Sequence, residues 1–91
     1  MKKITPFNPA LGVYCCPHVF ANTSAIQLVI HDDDWQFLCG EPHEDEQCHL
    51  VGIGHLLERD ASLQQLAALG NGCGAMRIHA KADWELFTIT D

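Results

Sequence analysis

Two kinds of side chain in this sequence can do chemistry, and both are clustered. Five cysteines and six histidines fall among 91 residues, and two short pairings stand out: Cys15 or Cys16 with His18, and Cys39 with His43. Thiolate and imidazole are the ligands that tetrahedral zinc takes, and a small domain gains folding free energy from such a site. If the first strand lies beside the segment ending at Cys39, then Cys16, His18, Cys39 and His43 converge into a Cys2His2 set. The sequence has no paired C-x-x-C knuckle, so the competing reading is buried thiols and surface histidines. Zinc is therefore the alternative expectation, and no cofactor is the first.

The second cluster is acidic. Asp32, Asp33, Asp34, Glu41, Glu44, Asp45 and Glu46 place seven of the twelve carboxylates within fifteen residues. A calcium loop needs carboxylates at alternating positions and a glycine for the bend, and neither acidic run has that pattern. One reading is a solvated turn and a solvated loop. The other is a recognition surface for a basic protein, where opposite potentials speed association. Catalysis is the third possibility. A nucleophilic cysteine needs a base within hydrogen-bond reach, but nothing in the sequence marks one cysteine out. Pairing Glu44 with Glu58 as acid and base is equally arbitrary. The expectation is a protein that is not an enzyme.

The composition agrees with a binding role. Apolar types make up 47% and charged types 19%, which excludes a disordered tail, a collagenous repeat and a coiled coil. A formal net charge of −7 repels phosphate backbones, so a nucleic-acid partner is not expected. The apolar stretches are a few residues long, so no transmembrane helix is expected. Met1-Lys2-Lys3 is followed by Pro6 and Pro9 rather than an apolar run, which excludes a signal peptide and makes the cytoplasm the expected compartment. An odd number of cysteines in a reducing compartment implies thiols rather than disulfides.

The elements that must position these residues read as follows. Residues 1–12, with Pro6, Pro9 and Gly12, form an irregular leader, and residues 13–91 form one α+β domain. Residues 13–20 suit a short strand that Pro17 confines to an edge or ends early. Residues 26–31 and 35–39 are strands joined by the turn at Asp32, Asp33 and Asp34, giving a hairpin with Trp35 and Phe37 as core anchors and Cys39 buried. Residues 55–59 make one or two helical turns. Asp60 is placed to cap a main helix over 61–69, where Leu63, Leu66 and Leu69 share a face and Gly70 suits the C′ position. Residues 75–79 and 84–90 supply further strands. Arg77 falls inside one of them, where a long cation either snorkels outward or pairs with a carboxylate. The predicted fold is an antiparallel sheet of four or five strands with one main helix packed on it.

The order Asp34-Trp35-Gln36-Phe37, Gly40, Glu44-Asp45-Glu46, Val51-Gly52-Ile53, Asp60-Ala61-Ser62-Leu63 and then Gly72 through Arg77 resembles a known bacterial family. That family was first catalogued as a domain of unknown function. It was later proposed as the thirty-third family of immunity proteins in polymorphic toxin systems. The resemblance covers residues 34–77, about half the chain. Ala61 stands where a proline is common, Ala75 stands where a large aromatic is usual, and the Cys- and His-rich front end is particular to this chain. The resemblance implies a non-catalytic protein that binds and neutralises a cognate toxin. Many such toxins are nucleases with basic grooves, to which Asp32, Asp33, Asp34, Glu41, Glu44, Asp45 and Glu46 are complementary. The alternative is a small zinc-stabilised domain of unassigned role.

Overall fold

The computed structural model describes residues 7–40 and 48–89. Six strands and three short helices follow one another as β1 (Gly12–Cys15), α1 (Pro17–Phe20), β2 (Leu28–Asp32), β3 (Asp34–Leu38), β4 (His49–Gly52), α2 (Ile53–Arg59), a 3-10 helix (Ala61–Leu66), β5 (Cys73–Met76) and β6 (Glu85–Thr88). The strands form one sheet in the order β4-β1-β3-β2-β5-β6. The α+β class stands, with more strands than the sequence predicts. The sheet is also mixed, because β1 runs parallel to β3 with Cys15 opposite Phe37.

Local chemistry explains where several elements start and stop. Pro17 does not confine its strand to an edge: β1 lies inside the sheet, between β4 and β3. Proline ends the strand after Cys15 and then occupies the first turn of α1, where its missing N–H is no loss. The hairpin falls where the aspartates place it, with Asp32 opposite Asp34 and Asp33 alone at the bend with φ 62°. Aspartate tolerates this left-handed conformation better than most side chains. At the start of α2, the leader supplies acceptors to two helix N–H groups: Ile53 donates to Leu11 O at 2.9 Å and Gly54 to Pro9 O at 3.1 Å.

The expected main helix over 61–69 is instead a 3-10 helix of six residues. Its leucines explain the difference. Leu63, Leu66 and Leu69 recur every third residue, which matches three residues per turn rather than 3.6. All three are buried. The longer helix is α2, which buries Ile53 and Leu56. Gly70 is not the left-handed glycine of this region. That conformation belongs to Gly72 (φ 85°), where the chain turns into β5. Cys39 is buried as expected but lies one residue beyond the end of β3.

Strand register divides the sheet into two unlike faces. Val13, Cys15, Val29, Phe37 and Ala75 are fully buried, and cross-strand pairing puts Cys15, Phe37, Val29 and Ala75 in one row. Val19, Ile53, Leu56, Leu63 and Leu66 join them in the core, which therefore lies between this face and the helices. Phe7 closes one end, edge-on to Trp35 with ring centroids 5.0 Å apart. The alternate positions of the same strands are half-buried or exposed, except Gly74 on β5, which is buried.

Candidate functional site

The acidic hairpin tip is the part of the predicted site that the structure places. Asp32, Asp33 and Asp34 are all exposed. The tip is also held in position. The Asp33 backbone N–H donates to Asn71 Oδ1 at 2.6 Å, and Asn71 Nδ2 returns a contact to Asp33 Oδ1 at 3.5 Å. Asn71 lies in the turn before β5, so two adjacent loops brace each other at Asp33, the middle residue of the acidic turn. Glu41, Glu44, Asp45 and Glu46 lie outside the described residues.

Of the predicted metal set, the structure brings two members together. His18 Nδ1 lies 3.8 Å from Cys39 Sγ. The cause is the parallel pairing: because Cys15 stands beside Phe37, the residues that follow each strand emerge at the same end of the sheet. Cys16 is buried at the N-cap of α1, and His43 lies outside the described residues. Among the described residues, no group of three or more His, Cys, Asp or Glu is arranged to hold a metal ion.

A cavity of about 510 Å³ opens between α1, α2 and β4, with Cys15, Phe20, Val51, His55, Leu56 and Arg59 among its walls. Burial raises the pKa of the Cys15 thiol, and the neighbouring Cys16 and Cys48 add to the shift against the opposing charge of Arg59. That direction keeps the thiol protonated near neutrality, opposite to what a nucleophilic cysteine needs. Arg59 itself closes the end of α1, donating to Val19 O at 2.6 Å.

Arg77 is the most constrained polar side chain described. It is buried, and its Nε and Nη2 donate to Ile26 O at 2.9 and 2.7 Å. Its Nη1 donates to Ser62 Oγ at 3.0 Å, and Nη2 pairs with Asp60. The guanidinium carbon sits 4.1 Å from the ring centroid of Trp84, whose Nε1 donates to Ser62 Oγ at 3.3 Å. Asp60 meanwhile caps the 3-10 helix as expected, accepting from Ser62 N at 3.0 Å and Ser62 Oγ at 2.6 Å. The network ties the loop before β2, the 3-10 helix and the segment after β5 into one block. Its work is to hold the fold.

This network makes the protein sensitive to acid. Burial opposes the charge on Asp60, but hydrogen bonds from Ser62 and Arg77 and the Arg77 charge outweigh it, so the carboxyl is held below its ordinary value of 3.8. The unfolded chain therefore takes up this proton first, and stability falls as pH drops. The contribution is fully present above about pH 4 and is lost as pH falls through the lowered folded-state value. Urea midpoints measured from pH 6 to pH 2.5 should fall over that acid window. Asp60→Asn should be less stable at pH 6 and should show a shallower fall.

Comparison of the chain with protein-family models, curated proteins and solved structures returns no match. Among the described residues, no helix is long and apolar enough to cross a membrane.

Proposed function

We propose that this protein is a cytoplasmic, non-catalytic, immunity-type protein that binds and neutralises a cognate bacterial toxin through an acidic surface. The observation that carries this reading is the braced hairpin tip. Three exposed carboxylates stand on a turn whose backbone is held at Asp33 by Asn71. Preorganised charge loses little on binding and steers a cationic partner towards one spot. The net charge of −7 and the family resemblance over residues 34–77 support the same reading. The interface would bury on the order of 1,600 Å² in total.

The test needs the cognate toxin, to be sought first in the reading frame upstream of this gene. Asp32→Lys with Asp34→Lys should weaken the complex about tenfold, mainly through slower association, and should reduce its salt dependence. Asp33 is left in place because its backbone conformation and its contacts with Asn71 shape the turn. Stability of the free protein should stay within about 0.5 kcal/mol, since the changes are on the surface. Charge reversal at Glu44, Asp45 and Glu46 tests the other acidic segment in the same assay. Unchanged affinity in both variants would refute the acidic-surface reading.

The 3.8 Å contact between His18 and Cys39 favours a second reading, a zinc-stabilised domain. One equivalent of bound zinc, with unfolding on chelation, would identify it.

A further inference from the structure

The face of the sheet turned away from the helices is apolar where an exposed antiparallel face should be polar. Register puts Tyr14 beside Leu50 and Gln36, Ile30 beside Gln36, and Leu28 beside both Leu38 and Met76. These residues alternate with the fully buried set, so they point to the opposite side, except that Leu38, at the end of β3, also packs against the core. Leu50 is 66% exposed, Met76 47% and Tyr14 36%. Phe87 lies on this face too, over Gly74, where an added Cβ would come within 2.4 Å of its ring. Isolated exposed apolar residues are ordinary, but here Leu50, Tyr14, Ile30 and Phe87 fall in one row across the sheet, interrupted by Gln36 on β3, with Leu28 and Met76 beside it.

The charge at the margin of this face indicates what covers it. Asp32 and Asp34 fall at one end of the same row of positions, and Glu85 pairs with Met76 near the other edge. The cations among the described residues are Arg59 in α2, the buried Arg77, and Lys81 in the loop before β6; none lies in a strand. An apolar centre with a polar rim is the anatomy of a protein interface, and among the described residues the charges placed on this rim are all acidic. A second copy would set acid against acid in two molecules that each carry −7. An anionic membrane or a phosphate backbone is repelled for the same reason.

We propose that this open sheet face is the seat of a cationic protein partner, whose apolar patch ringed by Lys or Arg covers Tyr14, Leu28, Ile30 and Met76. The proposal rests on the toxin-binding reading and specifies which surface does the binding. The acidic tip becomes the edge of a larger, mainly apolar contact.

The experiment places the photo-reactive residue benzoylphenylalanine at Tyr14, at Met76 or at Glu58 on α2, in the full chain, in cells that natively express it. Adducts from Tyr14 and Met76 to one basic protein, with none from Glu58, are expected. With that protein purified, Met76→Arg should raise Kd at least tenfold. Met76→Ser should move Kd the same way without adding charge, and both variants should retain the parent's thermal unfolding. Adducts to this chain itself, adducts from Glu58 alone, or no adduct from Tyr14 and Met76 would overturn the proposal. A toxin adduct from Glu58 alone would leave the immunity reading standing while removing the sheet face. A sheet-face adduct to a basic protein that is not a toxin would do the reverse.

Discussion

Arg77→Ala lowers folding stability by about 3 kcal/mol or more, read as a fall in the urea midpoint with an unchanged m value. The expectation follows from what the truncation strands. Ile26 O loses both of its Arg77 donors, at 2.9 and 2.7 Å, in a buried setting. Asp60 keeps its hydrogen bonds from Ser62 but loses its cation, and the Trp84 ring loses the guanidinium 4.1 Å from its centroid. An unsatisfied buried carbonyl costs about 1–3 kcal/mol, and breaking a buried ion pair about 3–5 kcal/mol, with the solvent-accessible side of Asp60 reducing the second figure. A small domain has only about 5–15 kcal/mol to lose. Arg77→Lys should recover little, because an ammonium lacks the planar fork that serves Ile26, Ser62 and Asp60 at once. In the Asp60→Asn background, Arg77→Ala should cost less, since part of the penalty is the carboxylate left without its partner.

Half of that network was legible in the sequence and half was not. Asp60 announces itself as a cap because it precedes a run of helix formers, and Ser62 N duly donates to it. The Arg77 partner is seventeen positions away, and no local pattern encodes that pairing. The same division runs through the fold. The hairpin is readable because two apolar runs flank three aspartates, although Asp32 and Asp34 pair within the strands and leave Asp33 alone at the bend. β4 is not: His49–Gly52 ends in glycine and runs directly into α2, so no loop separates strand from helix. The parallel pairing of β1 with β3 is equally silent, although it is what carries His18 to Cys39.

The candidate site divides along similar lines. Charge is legible in residue types alone, so the turn at Asp32, Asp33 and Asp34 stands out in the sequence. The open sheet face does not, because β2 is apolar at both parities. Leu28 and Ile30 alternate with Val29, and periodicity alone cannot say which set faces the helices. The structure assigns Val29 to the core, paired with Phe37 and Ala75, and leaves Leu28 and Ile30 on the other side.

That assignment yields a sharp contrast between two apolar truncations. Phe37→Ala should destabilise the protein by about 3–5 kcal/mol, the range for removing a buried aromatic and leaving a cavity. Phe37 is fully buried, flanked in register by Cys15 on β1 and Val29 on β2. Phe7 and Trp35 approach it with ring centroids at 6.4 and 6.0 Å, so the backbone of three strands and the leader surround the space it vacates. Little can move in to fill it. Leu50→Ala removes an aliphatic side chain from the same sheet but should shift stability by no more than about 0.5 kcal/mol, because Leu50 already faces solvent. Equilibrium urea unfolding of the two variants distinguishes a core face from a surface face directly. If Leu50→Ala cost as much as a buried leucine, about 2–5 kcal/mol, then its face would be covered within the chain itself, and no apolar surface would be left there for a partner to bind.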